Sequence, residues 1–439
     1  MKAMIDLTAI KHIHMVGVGG IGLSALARLM VHDGKKITGS DTADGRIVRE
    51  LRAFGIEIQI GSWTEMAREA DLLVYSKAVA KDDEDRVAAR KEKVPEIEYP
   101  LLLGLVSQHK KTIAITGTHG KTTTTAMLAC IAKEAGLDPT AIVGSIVQDF
   151  KSNLLVGGGD YLITEACEYR RSFLSLHPYV LVITNIDLDH LDYYKDMADI
   201  QSAFSKLTDQ VVPGGVVVYD SRDPHQAPVI AHLLKTAASR EISLVDYSTI
   251  SLPVNLTLFG LFNQYNAQAA LATAGAISID EEAARMTLKH FSGTWRRQEF
   301  KGETRDHIKV YDDYGHNPTE IRANIAAFRT HFASERIVVV FQPHLYSRTH
   351  TFLHEFAQSF DDADVVIVLP IYAAREADTY ETTQAMLVET MRLHHPLVQS
   401  ASSFDEAWQL VKAALPDGSV VVTQGAGDGY IVGDMLLEN

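Results

Sequence analysis

The sequence predicts an α/β protein built on parallel sheets. Three observations predict it. The chain has 439 residues, too many for one core, so two to four domains are expected. Apolar runs of strand length alternate with helix-spaced segments along the chain. Several of those runs end in Gly, Asp, Glu or Asn, as in a sheet whose ligands sit at its carboxyl edge.

The first segment reads as a dinucleotide-type βαβ unit. Residues 13–16 form a short strand, GVGGIG (17–22) the turn, and 23–31 a helix with Leu23, Leu26, Ala27 and Met30 at helical spacing. A second strand ends in Gly39, Ser40 and Asp41, whose carboxylate is the one expected at a ribose hydroxyl. A further strand, 71–76, closes on Ser76. The turn does not by itself separate NAD from other ligands with a pyrophosphate and a ribose. A charged, helix-prone stretch (81–94) then leads through Pro95 and Pro100 to a domain boundary before Lys111.

The most specific stretch follows. An apolar strand, 112–115, runs into TGTHGKTTTT (116–125) and then into a helical run, 126–132. Glycines let backbone N–H groups converge on phosphate oxygens, and the helix N-terminus adds partial positive charge. Lys121 can neutralise the outer phosphates and the Thr122 hydroxyl can ligate Mg²⁺. The general phosphate-loop pattern would place Gly at position 115, where Ile115 stands.

Downstream strands also end in polar clusters. Residues 161–164 lead to EACE (165–168), and 179–184 lead to NIDLDH (185–190). Glu165 and His190 are suitable divalent-cation ligands at such strand ends. An alanine-rich helix, 266–276, has Asn263 and Asn266 near its start. A third α/β segment begins near Gly293, with strands at 308–311, 336–341, 365–369 and 420–423, the last running into GAGDG (425–429).

Composition excludes some partners. The formal net charge is −15, which disfavours nucleic acid and anionic membranes. Cys130 and Cys167 are the only cysteines, so neither a disulfide framework nor a cysteine metal site is expected. No signal-peptide core or membrane-length run is present, and a cytoplasmic setting is expected.

GVGGIG, TGTHGKTTTT, EACE, NIDLDH, FNQYN, GTWRRQE, DDYGHNPTE, FQPHLYSRT and GAGD occur in that order. Together they resemble the Mur ligase family, and the first, YGHNPTE and FQPHLYSRT resemble its alanine-adding branch. The resemblance implies three domains: an N-terminal Rossmann-like domain (1–104) for UDP-sugar, a central P-loop ATPase-type parallel sheet (105–292), and a C-terminal Rossmann-like domain (293–439) for the amino acid. It implies ATP, Mg²⁺, UDP-N-acetylmuramate and L-alanine as ligands, in a monomer or weak homodimer.

The expected sites follow from motif and resemblance together. Lys121, Glu165 and His190 would be catalytic. Gly117, Thr118, His119, Gly120, Lys121, Thr122 and Thr123 would cradle ATP. The resemblance adds Asn263 at the adenine, Arg297 at the phosphates and Asp313 at the ribose. Thr122, Glu165 and His190 would hold metal. Gly17, Gly19, Gly20, Ile21, Gly22, Asp41 and Ser76 would meet the UDP-sugar. Arg348 would pair with the amino-acid carboxylate, with Tyr314, His316 and His344 around it. Cys167, Phe262, Asn317 and Leu345 depart from the family's usual residues, and Phe204 stands where related ligases carry a carbamylated lysine.

Two alternatives differ in kind. A nicotinamide-dependent oxidoreductase is permitted by GVGGIG and Asp41 but leaves NIDLDH unexplained. A binding protein without catalysis is disfavoured by Lys121, Glu165 and His190. A third alternative is another ligase of the same family, adding a different amino acid or a peptide.

Overall fold

A computed structural model describes residues 5–190, 193–252, 256–374, 376–377, 381–416 and 418–438. These described residues form three sheets in two compact units, one of residues 1–254 with 265–291, the other of 255–264 with 292–439.

The first sheet holds β1 (His12–Val16), β2 (Lys36–Asp41), β3 (Glu57–Ile60), β4 (Leu72–Tyr75) and β5 (Glu96–Glu98), in the order β3-β2-β1-β4-β5. Every pair is parallel. The chain leaves β1 to one side and returns to its other side with β4. That switch point opens a crevice at the carboxyl ends of β1 and β4, where α/β sheets bind ligands. The glycine turn follows β1 and Ser76 follows β4. The helix after the turn, Ile21–His32, starts ahead of the expected span.

The second sheet holds β6 (Lys111–Thr116), β7 (Thr140–Val147), β8 (Ser152–Leu155), β9 (Tyr161–Glu165), β10 (Val180–Ile183), β11 (Val216–Tyr219) and β12 (Ser243–Asp246). Its order is β12-β11-β10-β6-β9-β7-β8. β6 lies between β9 and β10, so the phosphate loop, Glu165 and the NIDLDH segment emerge side by side. The sheet is parallel except for the β7–β8 pair at its edge. β10 is buried at every position, which is why it reads as an unbroken apolar run.

One apolar core joins these two sheets. Leu26 and Met15 beside the first belong to the same cluster as Leu162, Phe173 and Phe204 beside the second. Polar ties add to it: Asn153 donates to the Ile21 carbonyl at 2.6 Å, and Arg28 to the Ser152 hydroxyl at 3.2 Å. This shared core makes one unit of two sheets.

The other unit holds β13 (Glu299–Glu303), β14 (Lys309–Asp313), β15 (Ile337–Phe341), β16 (Val365–Val368), β17 (Val398–Ser400) and β18 (Val420–Gln424), in the order β13-β14-β18-β15-β16-β17. β13 alone runs antiparallel. Phe328, Phe341, Phe356 and Phe360 fill one core. Val310, Val340 and Val421 fill another.

Candidate active site

The phosphate loop is fixed by two left-handed glycines and by the strand next door. Gly117 has φ +135° and Gly120 φ +82°. A Cβ would lie 2.1 Å from Thr184 Oγ1 at the first and 2.1 Å from Asn266 Oδ1 at the second. The segment after β10 then pins the loop. Thr118 N donates to the Asn185 carbonyl at 3.1 Å, His119 N to Asn185 Oδ1 at 2.8 Å, and Asn185 Nδ2 to the His119 carbonyl at 3.0 Å. His119 Nε2 lies 3.4 Å from Asp187, and that hydrogen bond helps hold the Asp187 carboxyl below its usual range. Helix Lys121–Glu134 begins directly after Gly120, which brings Lys121, Thr122 and Thr123 into its first turn.

Lys121 is mostly buried, which works against its charge. The carboxylate of Glu168, 3.0 Å from Nζ, outweighs this and holds the ammonium above its ordinary pKa. Glu168 is 3% exposed. It also lies 3.7 Å from His190 Nε2, and its carbonyl accepts the Tyr194 hydroxyl at 2.6 Å. Thr122 Oγ1 donates to Glu165 at 3.2 Å, and the Gly144 amide of β7 donates to the same carboxylate. Expected as a joint metal pair, Glu165 and His190 thus have different neighbours: Glu165 meets Thr122, and His190 meets Glu168. Glu168 is the residue that sequence reasoning missed. Its signal was the second glutamate of EACE, three positions after Glu165.

In the first sheet, Gly17 N and Val18 N donate to the Ser40 carbonyl at 2.8 and 3.2 Å. Gly19 N donates to Asp41 Oδ2 at 2.8 Å. Gly20 caps the helix that Ile21 begins. Gly22 lies under Tyr99, where a Cβ would stand 2.6 Å from the phenol oxygen. Burial, then the charge of Glu165, pushes the Tyr99 ionisation up. Ser76 N donates to the Val16 carbonyl at 3.0 Å. Beneath the turn, Ser40 Oγ donates to the fully buried Asp85 at 2.6 Å.

In the second unit the four expected amino-acid residues come together. The Tyr314 and His316 rings are 5.4 Å apart, and those of His316 and His344 5.6 Å. Arg348 Nη1 is 3.1 Å from His344 Nδ1. Leu345, between them in sequence, has φ +70°, a strained conformation of the kind that clusters at functional sites. Arg297 lies over the Tyr314 ring at 5.2 Å. The residues expected at adenine and ribose have internal partners. Asn263 Nδ2 donates to the Phe259 carbonyl and to Gln298 Oε1, both at 3.0 Å. Asp313 accepts from Gln298 N, Gly315 N and Gln424 Nε2 at 2.8 to 3.0 Å, and burial pushes its carboxyl up. Asn317 caps helix Pro318–His331 in a capping box with Glu320, which gives its departure a structural role. Phe204 is fully buried and packs edge-on against Phe173, so no lysine stands there to be carbamylated.

Comparison with known proteins bears on the whole chain. Residues 12–111 match the Mur ligase family catalytic domain, 115–274 the Mur ligase middle domain, and 296–427 the Mur ligase glutamate ligase domain. The UDP-N-acetylmuramate–L-alanine ligase of Alkaliphilus metalliredigens is 37% identical over 98% of both chains. That of Caldanaerobacter subterraneus is 37% identical over 99% of both. The solved UDP-N-acetylmuramate–alanine ligase of Thermotoga maritima has a TM-score of 0.82 at 27% identity, covering 98% of each chain. A murein peptide ligase from Psychrobacter arcticus shares the fold, with a TM-score of 0.71 at 24% identity and 98% coverage of each. The chain belongs to the Mur ligase family.

Proposed function

We propose that this protein is an ATP-dependent ligase that joins L-alanine to the lactyl carboxylate of UDP-N-acetylmuramate through an acyl phosphate. The reaction is a step of peptidoglycan precursor synthesis in the cytoplasm. The observation that carries the reading is 37% identity, end to end, with ligases of that name. Among the described residues no helix is long and apolar enough to cross a membrane, which agrees with nucleotide-linked substrates.

A free carboxylate is a poor acyl donor. Its oxygen would attack the γ-phosphorus of ATP, the bond to the ADP oxygen would break, and ADP would leave. The amine of alanine would then attack the acyl carbon and displace phosphate. Positioning and charge neutralisation supply most of such catalysis. Lys121, at the start of its helix, would exchange Glu168 for the β- and γ-phosphates. The loop amides from Gly117 to Thr123 would line those phosphates, those of Thr118 and His119 after leaving Asn185. Arg348 would pair with the alanine carboxylate, with Tyr314, His316 and His344 beside it.

Magnesium fits the Thr122–Glu165 pair, two hard oxygen donors 3.2 Å apart at the loop. Among the described residues no three His, Cys, Asp or Glu are grouped to hold an ion. Phosphate oxygens and water would complete its shell, as is usual for this metal. When bound, the ion would neutralise phosphate charge.

The test is an ADP-release assay with UDP-N-acetylmuramate, run with and without L-alanine, with mass analysis of the product. Release that requires all three reactants and yields the UDP-linked monopeptide is expected. Release with glycine, another amino acid or a peptide in place of alanine would move the protein to a different branch of the family. Absence of any amide product would overturn the reading.

A further inference from the structure

Lys77 follows Ser76 at the end of β4, in the sheet proposed to hold the sugar nucleotide. Its ammonium reaches the other sheet of the same unit. Nζ donates to the Tyr169 carbonyl at 3.1 Å and to the Ser172 hydroxyl, with the Arg170 carbonyl at 3.5 Å. All three acceptors lie in the turn Tyr169–Ser175, which starts directly after Glu168.

That turn is held in an unfavourable shape. Arg170 has φ +50° and Arg171 φ +56°. Side-chain-bearing residues stay left-handed only where their surroundings impose it. On one side Arg171 pairs with Asp199 at 2.6 Å. On the other, the acceptors converge on Lys77. An ammonium has three donors and no acceptor, so it suits a set of backbone and hydroxyl oxygens. Taking it away would leave the Tyr169 carbonyl with the Ser172 hydroxyl, which donates to it at 2.6 Å, and the turn less constrained. Glu168, directly before this turn, meets both Lys121 and His190.

We infer that Lys77 is a positioning residue that straps the sugar-nucleotide sheet to the left-handed turn beside Glu168 and so sets the Glu168–Lys121 pair. The inference rests on the ligase reading for its kinetic consequence, but not for its structural one.

The experiment uses the full chain with Lys77→Met, Lys77→Arg and Ser172→Ala. In Lys77→Met, kcat is expected to fall about tenfold or more, the loss of a hydrogen-bonded charge. KM for ATP should rise at least as much as KM for UDP-N-acetylmuramate. Amide hydrogen exchange should accelerate across Tyr169–Ser175 and stay unchanged in helix Lys121–Glu134. Lys77→Arg should restore most of the rate. Ser172→Ala should reproduce part of the loss, and the double variant with Lys77→Met should be no worse than Lys77→Met alone. Unchanged exchange in the turn, or additive losses, would overturn the inference. If Lys77→Met does not fold, the exchange rates of Lys77→Arg and Ser172→Ala decide it. A wild-type protein that forms no amide would instead sink the ligase reading, and the exchange arm would still judge Lys77.

Discussion

The turn after β1 and the turn after β6 share one layout: a buried parallel strand, a run of glycines, and the N-terminus of a helix. Their chemistry differs. The second turn carries Lys121 at the first helical position, opposite Glu168 at 3.0 Å. The first has no basic residue between Gly17 and Leu23, and its Gly19 amide is already given to Asp41 at 2.8 Å. In the second, Lys121 is paired with Glu168, and the Thr118 and His119 amides are given to Asn185 in the segment after β10. In the first, the Asp41 carboxylate takes the amide of Gly19 and adds a negative charge beside the turn. The glycine pattern therefore sets the path of the chain, and the charge at the helix start sets what the turn can hold.

The largest effect should come from removing that charge. Lys121→Ala is expected to lower kcat/KM by about a thousandfold, in the range seen when one group stabilising a transition state is lost. Glu168 would keep its buried carboxylate without its cation, so a loss of thermal stability should accompany the loss of rate. Steady-state kinetics and a melting curve measure both. Activity within tenfold of wild type would mean that the two turns do not differ in the way their charges indicate.

An intermediate effect tests the first turn by shape. Gly22→Ala would put a Cβ 2.6 Å from the Tyr99 phenol oxygen and 2.7 Å from its Cζ. The ring would have to move, at a cost of about 1–3 kcal/mol. Tyr99 is also close enough to Glu165 for that charge to act on its ionisation. The variant should melt earlier and bind sugar nucleotide more weakly, while ATP binding changes less. A smaller residue in place of Tyr99 should restore part of the stability. No rescue by Tyr99→Leu would locate the defect elsewhere in the turn.

How much of this was legible in the sequence follows the range of the interactions. β6, β9 and β10 were readable because strands buried on both faces are unbroken apolar runs, and each displays its polar residue at the following turn. Glu165 was readable for that reason. Glu168 was not, because its partner Lys121 lies 47 residues away in sequence, beyond the reach of local pattern. The edge pair β7–β8 went unread, and with it the Gly144 amide that meets Glu165. In the second unit, Asn263 and Asp313 were visible as polar residues near apolar runs. Their common partner, Gln298, is 35 residues from the first and 15 from the second, a separation that local pattern does not span.

The smallest effect bears most directly on the comparison, because it asks what Asp41 does. The reading from sequence places its carboxylate on a ribose hydroxyl. The structure places Oδ2 on the Gly19 amide and Oδ1 near the Ala43 amide, at 3.2 Å. In this arrangement its negative charge would oppose a diphosphate bound at the turn. Asp41→Asn keeps an acceptor for Gly19 and removes the charge. Asp41 is partly exposed, so the repulsion relieved is about 1 kcal/mol or less, and KM for UDP-N-acetylmuramate should fall by up to about fivefold. The gain should shrink as salt is raised, since screening already weakens the repulsion in the wild-type protein. A ribose contact predicts the opposite sign: loss of a charge-assisted hydrogen bond should raise KM about tenfold or more. The sign of the change, measured at two ionic strengths, therefore separates a carboxylate that shapes the first turn from one that reads the ligand.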